Sequence, residues 1–435
     1  MTELGSVAGW RPTGALRRSL VVGGCGVGGA IVLGEPALPV LVAPLVVMAA
    51  MGLLGRPTRT PSASARLDHV SLHEGQGTTS RLQLLDADDV EQATRVVDRG
   101  PHVACHPAAG RLSRMLRDGP PEVEISPRRW GRRTLGNEMV ALTSSWAGFR
   151  WGPFSLPGSE MRVLPRTAAY TSGAQTPQPR GLVGAHRSAR PGSGTEFAGI
   201  RAFEPGDRLR RINWRVSART GRLHVTTTRS EQDAGILLVV DASADHGHSG
   251  GVDGAASSLD LAVRAAGSIA EHAIRSGDRV ALRVVSGDGA QVGFGSGRLH
   301  LRRLLGTLAV VRPSGLGEGY AARLRLQATE GTMVVLLSPM LEDHIGTAAA
   351  TLLHRGLPTL VIDTLPPDSR PAFAPDIDPE VADLAWRMRW LEREQGLAGL
   401  ASRGCPVVAW RGPGTLDDVL RRLARHAEQP RVRQR

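Results

Sequence analysis

Lysine is absent from all 435 residues, so the 53 basic side chains are all arginine. A P-loop ATPase needs the lysine of its phosphate loop, and pyridoxal or Schiff-base enzymes need a lysine amine, so these classes are excluded. Arginine cannot substitute as a proton-transfer base near neutral pH. Cysteine is scarce as well: Cys25, Cys105 and Cys405 lie far apart and form no C-x-x-C pair. That spacing speaks against a disulfide framework or a cysteine zinc site and fits a reducing compartment. Aromatic residues make up 4% of the chain, yet 41% is hydrophobic, which is enough to build folded domains. No G-x-S-x-G elbow occurs, and no Ser, His and Asp are tied together in a recognisable hydrolase pattern. What remains in excess is positive charge, a net +12, which suits phospholipid, nucleic acid or an acidic protein.

The apolar residues gather near the amino terminus. GCGVGG, Gly24 to Gly29, matches a dinucleotide loop, but Glu35 and Pro36 stop the helix that such a loop requires. Ser19 to Gly34 and Ala37 to Gly55 read instead as two membrane spans joined by the EPALP turn. Gly24 and Gly28 have the small-xxx-small spacing that lets helices approach. Arginines flank the outer ends: Arg11, Arg17 and Arg18 before, Arg56 and Arg59 after. The positive-inside rule then predicts a multi-pass hairpin with both ends, and the bulk of the chain, in the cytoplasm. A cleaved signal peptide accounts poorly for the second span.

The remaining chain divides by pattern. Residues 1–18 form an amino-terminal segment, 19–55 the hairpin and 56–79 a linker rich in Pro, Ser, Thr and Arg. Residues 80–170 alternate in short stretches between Pro and Gly clusters and predict an irregular β-sandwich-like domain. A second linker, 171–194, precedes an arginine-rich segment, 195–230. From 231 to 428, strand and helix patterns alternate, with helices expected at Glu318 to Ala328, Pro379 to Ser402 and Leu416 to His426 among them, which predicts a doubly wound α/β domain. ILLVVD, Ile236 to Asp241, has the unbroken apolar run of a central parallel strand ending in a carboxylate. Residues 429–435 form a basic tail.

FEPGDRLRRINWRVSARTGRLHV, Phe203 to Val225, puts much charge just before that strand. Asp207 is placed to cap a helix through LRRINWRVSART that Gly221 ends, with Leu209, Ile212 and Val216 on the core face. Arg208, Arg211, Arg215 and Arg219 then fall on the opposite side. The segment has no aromatic pair for base stacking, so its arginines suit phosphate contact better than base reading, and nucleic acid is the weaker partner class.

GTEFAGIRAFEPGDRLRRINWRVSARTGRLHVTTTRSEQ resembles the signature of a bacterial family called domain of unknown function fifty-eight. The likeness extends over most of the chain and is strongest from Gly192 to Ser243. It implies a membrane hairpin, an irregular β region and a von Willebrand factor A-like domain, together a cytoplasmic interaction module tethered to the inner membrane, and the expected role is that of a non-enzymatic scaffold. The implied partner is a MoxR-type AAA+ ATPase, with membrane lipid around the hairpin. The expected docking surface is this arginine-rich segment, with signature residues Glu204, Pro205, Gly206, Asp207, Arg210, Arg211, Trp214, Arg215 and Arg219, together with the loops after Asp241 and Ser338. Von Willebrand A domains often hold Mg²⁺ in a D-x-S-x-S loop. Here the loop is DASAD: Asp241 and Ser243 match, Asp245 replaces the second serine, and Pro339 stands where the distal aspartate is expected. Thr307 and Ser314 are the candidates for the hydroxyl loop. The expectation is a degenerate metal site and no cofactor, with Asp241 capping local backbone donors. His246 and His248 beside Asp245 imitate a zinc pattern, read more simply as a solvated glycine loop. The competing reading is a nucleotide- or metal-dependent enzyme on the α/β domain.

Overall fold

The computed structural model describes residues 9–167, 191–204, 207, 209–229, 235–316, 326, 328, 332–370, 377–412, 415 and 417–419. Pro205, Gly206 and Arg208, most of the helix expected from Glu318 to Ala328, that expected from Leu416 to His426, and the tail lie outside them. The chain divides into two compact units, Met1–Leu164 and Pro165–Arg435.

The first unit begins with β1 (Arg11–Pro12), α1 (Gly14–Leu33) and α2 (Ala37–Leu54). Thr13 caps α1 by accepting from the Leu16 amide, and Gly34 ends it in the left-handed region. Both helices are long and apolar enough to cross a membrane. Their outer faces carry exposed aliphatic side chains, with Val32 84% and Leu54 82% accessible. The contact between them does not use Gly24 and Gly28, beside which α2 is out of reach. It uses Gly23 and Gly26, where an added Cβ would sit 3.1 Å from Val46 and 2.4 Å from Val42. Spacing alone does not say which side of a helix turns toward its neighbour. At its base the hairpin packs Leu16 and Ala49 against Phe149.

Among the described residues of the unit, eleven strands follow β1: β2 (Ser62–Leu67), β3 (Ser71–His73), β4 (Thr78–Leu85), β5 (Val90–Val97), β6 (Val103–His106), β7 (Arg111–Met115), β8 (Glu122–Pro127), β9 (Gly131–Thr134), β10 (Glu138–Ser144), β11 (Phe149–Leu156) and β12 (Glu160–Leu164). They form sheets ordered β1-β11-β10-β5-β7, β2-β4-β8-β6 and β3-β12-β9. Strands β2 and β3 occupy the stretch expected to be linker. β2 is recruited by its ladder to β4, from Ser62 opposite Leu85 to Leu67 opposite Ser80. A polar segment completes a sheet when its partner supplies the register.

The second unit opens with a two-stranded ribbon, β13 (Pro191–Ala202) against β14 (His224–Arg229), whose connection contains the short helix α3 (Trp214–Thr220). A six-stranded sheet follows. Its elements in chain order are β15 (Gly235–Asp241), α4 (Ser258–Arg275), β16 (Arg279–Val285), β17 (Gln291–Gly295), α5 (Gly297–Leu308), β18 (Met333–Ser338), α6 (Asp343–His354), β19 (Thr359–Asp363), α7 (Pro379–Ser402) and β20 (Val407–Ala409). The spatial order is β17-β16-β15-β18-β19-β20, parallel except for edge strand β17. Leu237, Val239, Val334 and Leu336 share one core with Ile345 and Leu352 of α6 and Leu397 of α7. The intervening residues Ile236, Leu238 and Val240 are also buried, on the side that alternation assigns to α4. Both faces are thus covered, which is why β15 and β18 tolerate no polar residue before their last positions.

The first turn of α4 is closed by a capping box: Ser257 Oγ accepts from the Asp260 amide, and the Asp260 carboxylate accepts from the Ser257 amide. Ser257→Ala should cost this helix start about 1 kcal/mol. Hydrogen exchange at the Ser258 to Leu261 amides is expected to quicken about fivefold on that figure. Unchanged protection would show the box to be idle.

Candidate functional site

Chain direction in the sheet reverses at β15. The chain moves from β15 outward to β16 and β17, then returns to place β18 on the other side. A crevice outside the carboxyl ends of β15 and β18 is where ligands settle in folds of this kind. Asp241 ends β15 and Ser338 ends β18, and both are buried.

Here the crevice is closed by the chain's own polar groups. Ser338 Oγ donates to Asp241 Oδ2 at 2.6 Å, while Ser243 donates to Oδ1 through its Oγ at 2.7 Å and its amide at 3.1 Å. His344 Nε2 lies 3.8 Å from Oδ1, too far for a hydrogen bond but close enough to act on the charge. Burial pushes the Asp241 carboxyl up, yet His344, Ser338 and Ser243 together hold it below the ordinary carboxylate range. The Ser314 amide donates to Ala242 O at 3.0 Å, so one expected hydroxyl residue does approach the loop. Thr307 does not: its hydroxyl donates to Arg303 O within α5. One strand further, buried Arg393 donates from Nε to Pro339 O at 2.7 Å and pairs with Asp363. A cavity of about 510 Å³ opens beside these residues between α6 and α7, its lining mixed in charge: Glu342, Asp343 and Glu392 with Arg389, Arg393 and Arg403.

These residues fit Mg²⁺ poorly. Asp245 Oδ1 accepts from the Leu259 amide at 3.0 Å and from Ser258 Oγ at 3.3 Å, so it serves the start of α4 rather than joining Asp241. Pro339 offers no carboxylate, and Mg²⁺ needs a near-octahedral oxygen shell. Among the described residues no group of three His, Cys, Asp or Glu side chains is arranged to hold a metal. His246 and His248 lie in an irregular glycine loop with many exposed positions; His248 is exposed and His246 half-buried. The His246 amide donates to Ser258 Oγ at 2.8 Å, and burial lowers its imidazole pKa. The roles of Ser338 and His344 beside Asp241 had one hint in the sequence, a polar SPMLEDH following a wholly apolar strand.

The arginine-rich segment is built differently from its expectation. Asp207 does not cap a helix: it takes a two-pronged pair from Arg201 at 2.8 and 2.9 Å and accepts from the Glu204 amide. Leu209–Arg211 forms a single tight turn, and Ile212 bridges to Val225 of β14. The helix starts only afterward, capped by Asn213, whose Oδ1 accepts from the Val216 amide, and it ends as expected at left-handed Gly221. The bridge needs extended backbone at Ile212, which a continuous helix forbids. The shorter helix also changes the faces. Leu209 is 70% exposed instead of buried, and Trp214 is 68% exposed, next to exposed Arg215, Arg219 and Arg222. Ile212 and Val216 are half-buried. Arg211 is half-buried too, and the Arg210 side chain lies outside the described set.

Comparison with known proteins adds a family. Residues 199–363 match the model described as "Protein of unknown function DUF58". Two relatives are "Uncharacterized protein Mb1516" of Mycobacterium bovis and "Uncharacterized protein Rv1480" of Mycobacterium tuberculosis. Each is 32% identical over 168 residues, covering 37% of this chain and 51% of the relative. The chain thus spans about half the length of the curated relatives it matches.

Proposed function

Because residues 199–363 belong to the DUF58 family, we propose that the chain is a non-enzymatic, membrane-anchored scaffold whose α/β unit docks another protein in the cytoplasm. The observation that carries this reading is Trp214. A large aromatic ring stands 68% exposed on a helix capped at both ends, with Arg215, Arg219, Arg222 and exposed Leu209 near it in the chain. Aromatic and arginine side chains dominate the energetics of protein interfaces, and an acidic protein surface with an apolar pocket complements this patch. A MoxR-type AAA+ ATPase, the partner implied by the family resemblance, is the proposed client. The self-paired carboxylates of Asp241 and Asp363 argue for a binding module over a catalytic one, since neither is left to a substrate.

Anchoring rests on α1 and α2, whose exposed aliphatic faces suit acyl chains. Arginines flank both outer ends and only Glu35 occupies the turn, which orients the termini and both units toward the cytoplasm of the inner membrane. Nucleic acid fits the patch less well, because a single exposed indole offers no stacking ladder.

Trp214→Ala and Arg215→Glu plus Arg219→Glu test the docking surface in detergent extracts of cells expressing the full chain. Recovery of the ATPase should fall at least tenfold for each, the change that about 1.4 kcal/mol produces. Undiminished recovery rejects this surface.

A further inference from the structure

A helix lying on a sheet normally presents polar residues to water. Helix α7 does not. Its inner face buries Ala382, Leu397 and Leu400 together with Arg393. On its outer face Val381, Leu384, Met388 and Leu391 are 60%, 60%, 57% and 61% exposed. Their spacing, three, four and three residues, is the a/d alternation of a coiled-coil seam, continued by Gln395 and Ala398. The helix therefore has two apolar faces, and the domain core uses one of them.

We infer that the outer face of α7 is a homodimer seam, in which a second copy of this chain lays its own α7 alongside in parallel. The charged residues bordering the seam select both occupant and direction. With Val381 and Met388 at a and Leu384 and Leu391 at d, Arg387 falls at g and Glu392 at the following e. A parallel pair sets Arg387 of each copy against Glu392 of the other, twice over by symmetry. An antiparallel pair on the same seam aligns Val381 with Leu391 and Leu384 with Met388. It then brings Arg387 against Arg387 and Glu380 against Glu394, like charge on like. Arg387 and Glu392 are both exposed, and their present partners, Asp383 and Arg389 on the same helix, are surface pairs that yield at little cost. The seam requires nothing of the docking surface at Trp214, so either proposal survives failure of the other.

The test uses the full chain in detergent micelles with Cys25→Ser, which removes the exposed thiol. Sedimentation should give a dimer at tens of micromolar, weakened at least tenfold by Leu384→Glu or Met388→Glu. Arg387→Glu should weaken it as well, and Arg387→Glu with Glu392→Arg should restore it. Under mild oxidation Val381→Cys should link to itself, because a parallel pair places the two residues side by side. An antiparallel pair would hold them about 15 Å apart along the axis. A monomer at these concentrations overturns the inference. So does a dimer indifferent to the glutamates, or cross-linking confined to mixtures of Val381→Cys with Leu391→Cys.

Discussion

Arg95→Met lowers the unfolding free energy of the amino-terminal unit by about 3–5 kcal/mol, the cost of leaving one partner of a buried pair uncompensated. Arg95 and Glu138 are each wholly inaccessible to solvent. The guanidinium gives Glu138 two bonds, Nε to Oε2 at 2.9 Å and Nη2 to Oε1 at 2.7 Å. It also donates to Ser80 O at 2.7 Å and to the Ser80 hydroxyl. Arg95 sits on β5 and Ser80 on β4, strands of different sheets, so one side chain joins the two layers. Methionine keeps most of the volume but strands the Glu138 carboxylate and two Ser80 groups away from water. Glu138→Gln should cost less, since the amide oxygen still accepts one bond. Arg95→Met combined with Glu138→Leu should recover most of the loss, because a buried ion pair replaced as a whole by apolar groups is often neutral. Urea unfolding followed by exchange at the Ala93 and Val140 amides measures this. A single variant within about 0.5 kcal/mol of wild type would mean that water reaches the pair.

That pair was legible as pattern and not as contact. In EQATRVV the period of two turns Ala93, Arg95 and Val97 inward together, and in EMVAL it turns Glu138 and Val140 inward. The sequence therefore places a cation and an anion at core positions, while the register that makes them diagonal neighbours belongs to the folded sheet. The same division runs through the second unit. β15 and β18 are plain because buried parallel strands need unbroken apolar runs, and α7 is bounded as read because Asp378 and Pro379 mark a helix start. Asp207 misled because two capping residues compete within six positions, and only the Ile212 to Val225 bridge decides for Asn213. The surroundings of Asp241 were hidden for a plainer reason. Its Ser338 partner lies 97 residues along the chain, and strand order alone brings the two together.

Asp241→Asn should cost the α/β unit about 2–3 kcal/mol at pH 7, the penalty for buried donors left without an acceptor. An asparagine side chain offers one oxygen where the carboxylate offers two, so the hydroxyl of Ser338 or Ser243 would face an NH₂ group. The pH dependence gives the prediction its sign. Burial opposes the charge, but His344, Ser338 and Ser243 outweigh it, and the folded pKa lies below the unfolded one. As pH falls, the unfolded chain takes up this proton first, at about 3.9. The contribution of Asp241 is therefore complete above that value and lost as pH drops through the folded pKa. The gap between wild type and Asp241→Asn should stay level from pH 7 to 5 and narrow only in stronger acid. A gap that widens on acidification would show that the neutral carboxyl is the native form. The same pair of proteins separates a structural carboxylate from a metal ligand. If Asp241 only ties β15 to β18, millimolar Mg²⁺ leaves both midpoints where they were. A rise in the wild type alone would return this aspartate to the role that Asp245, turned toward α4, and Pro339 leave unsupported.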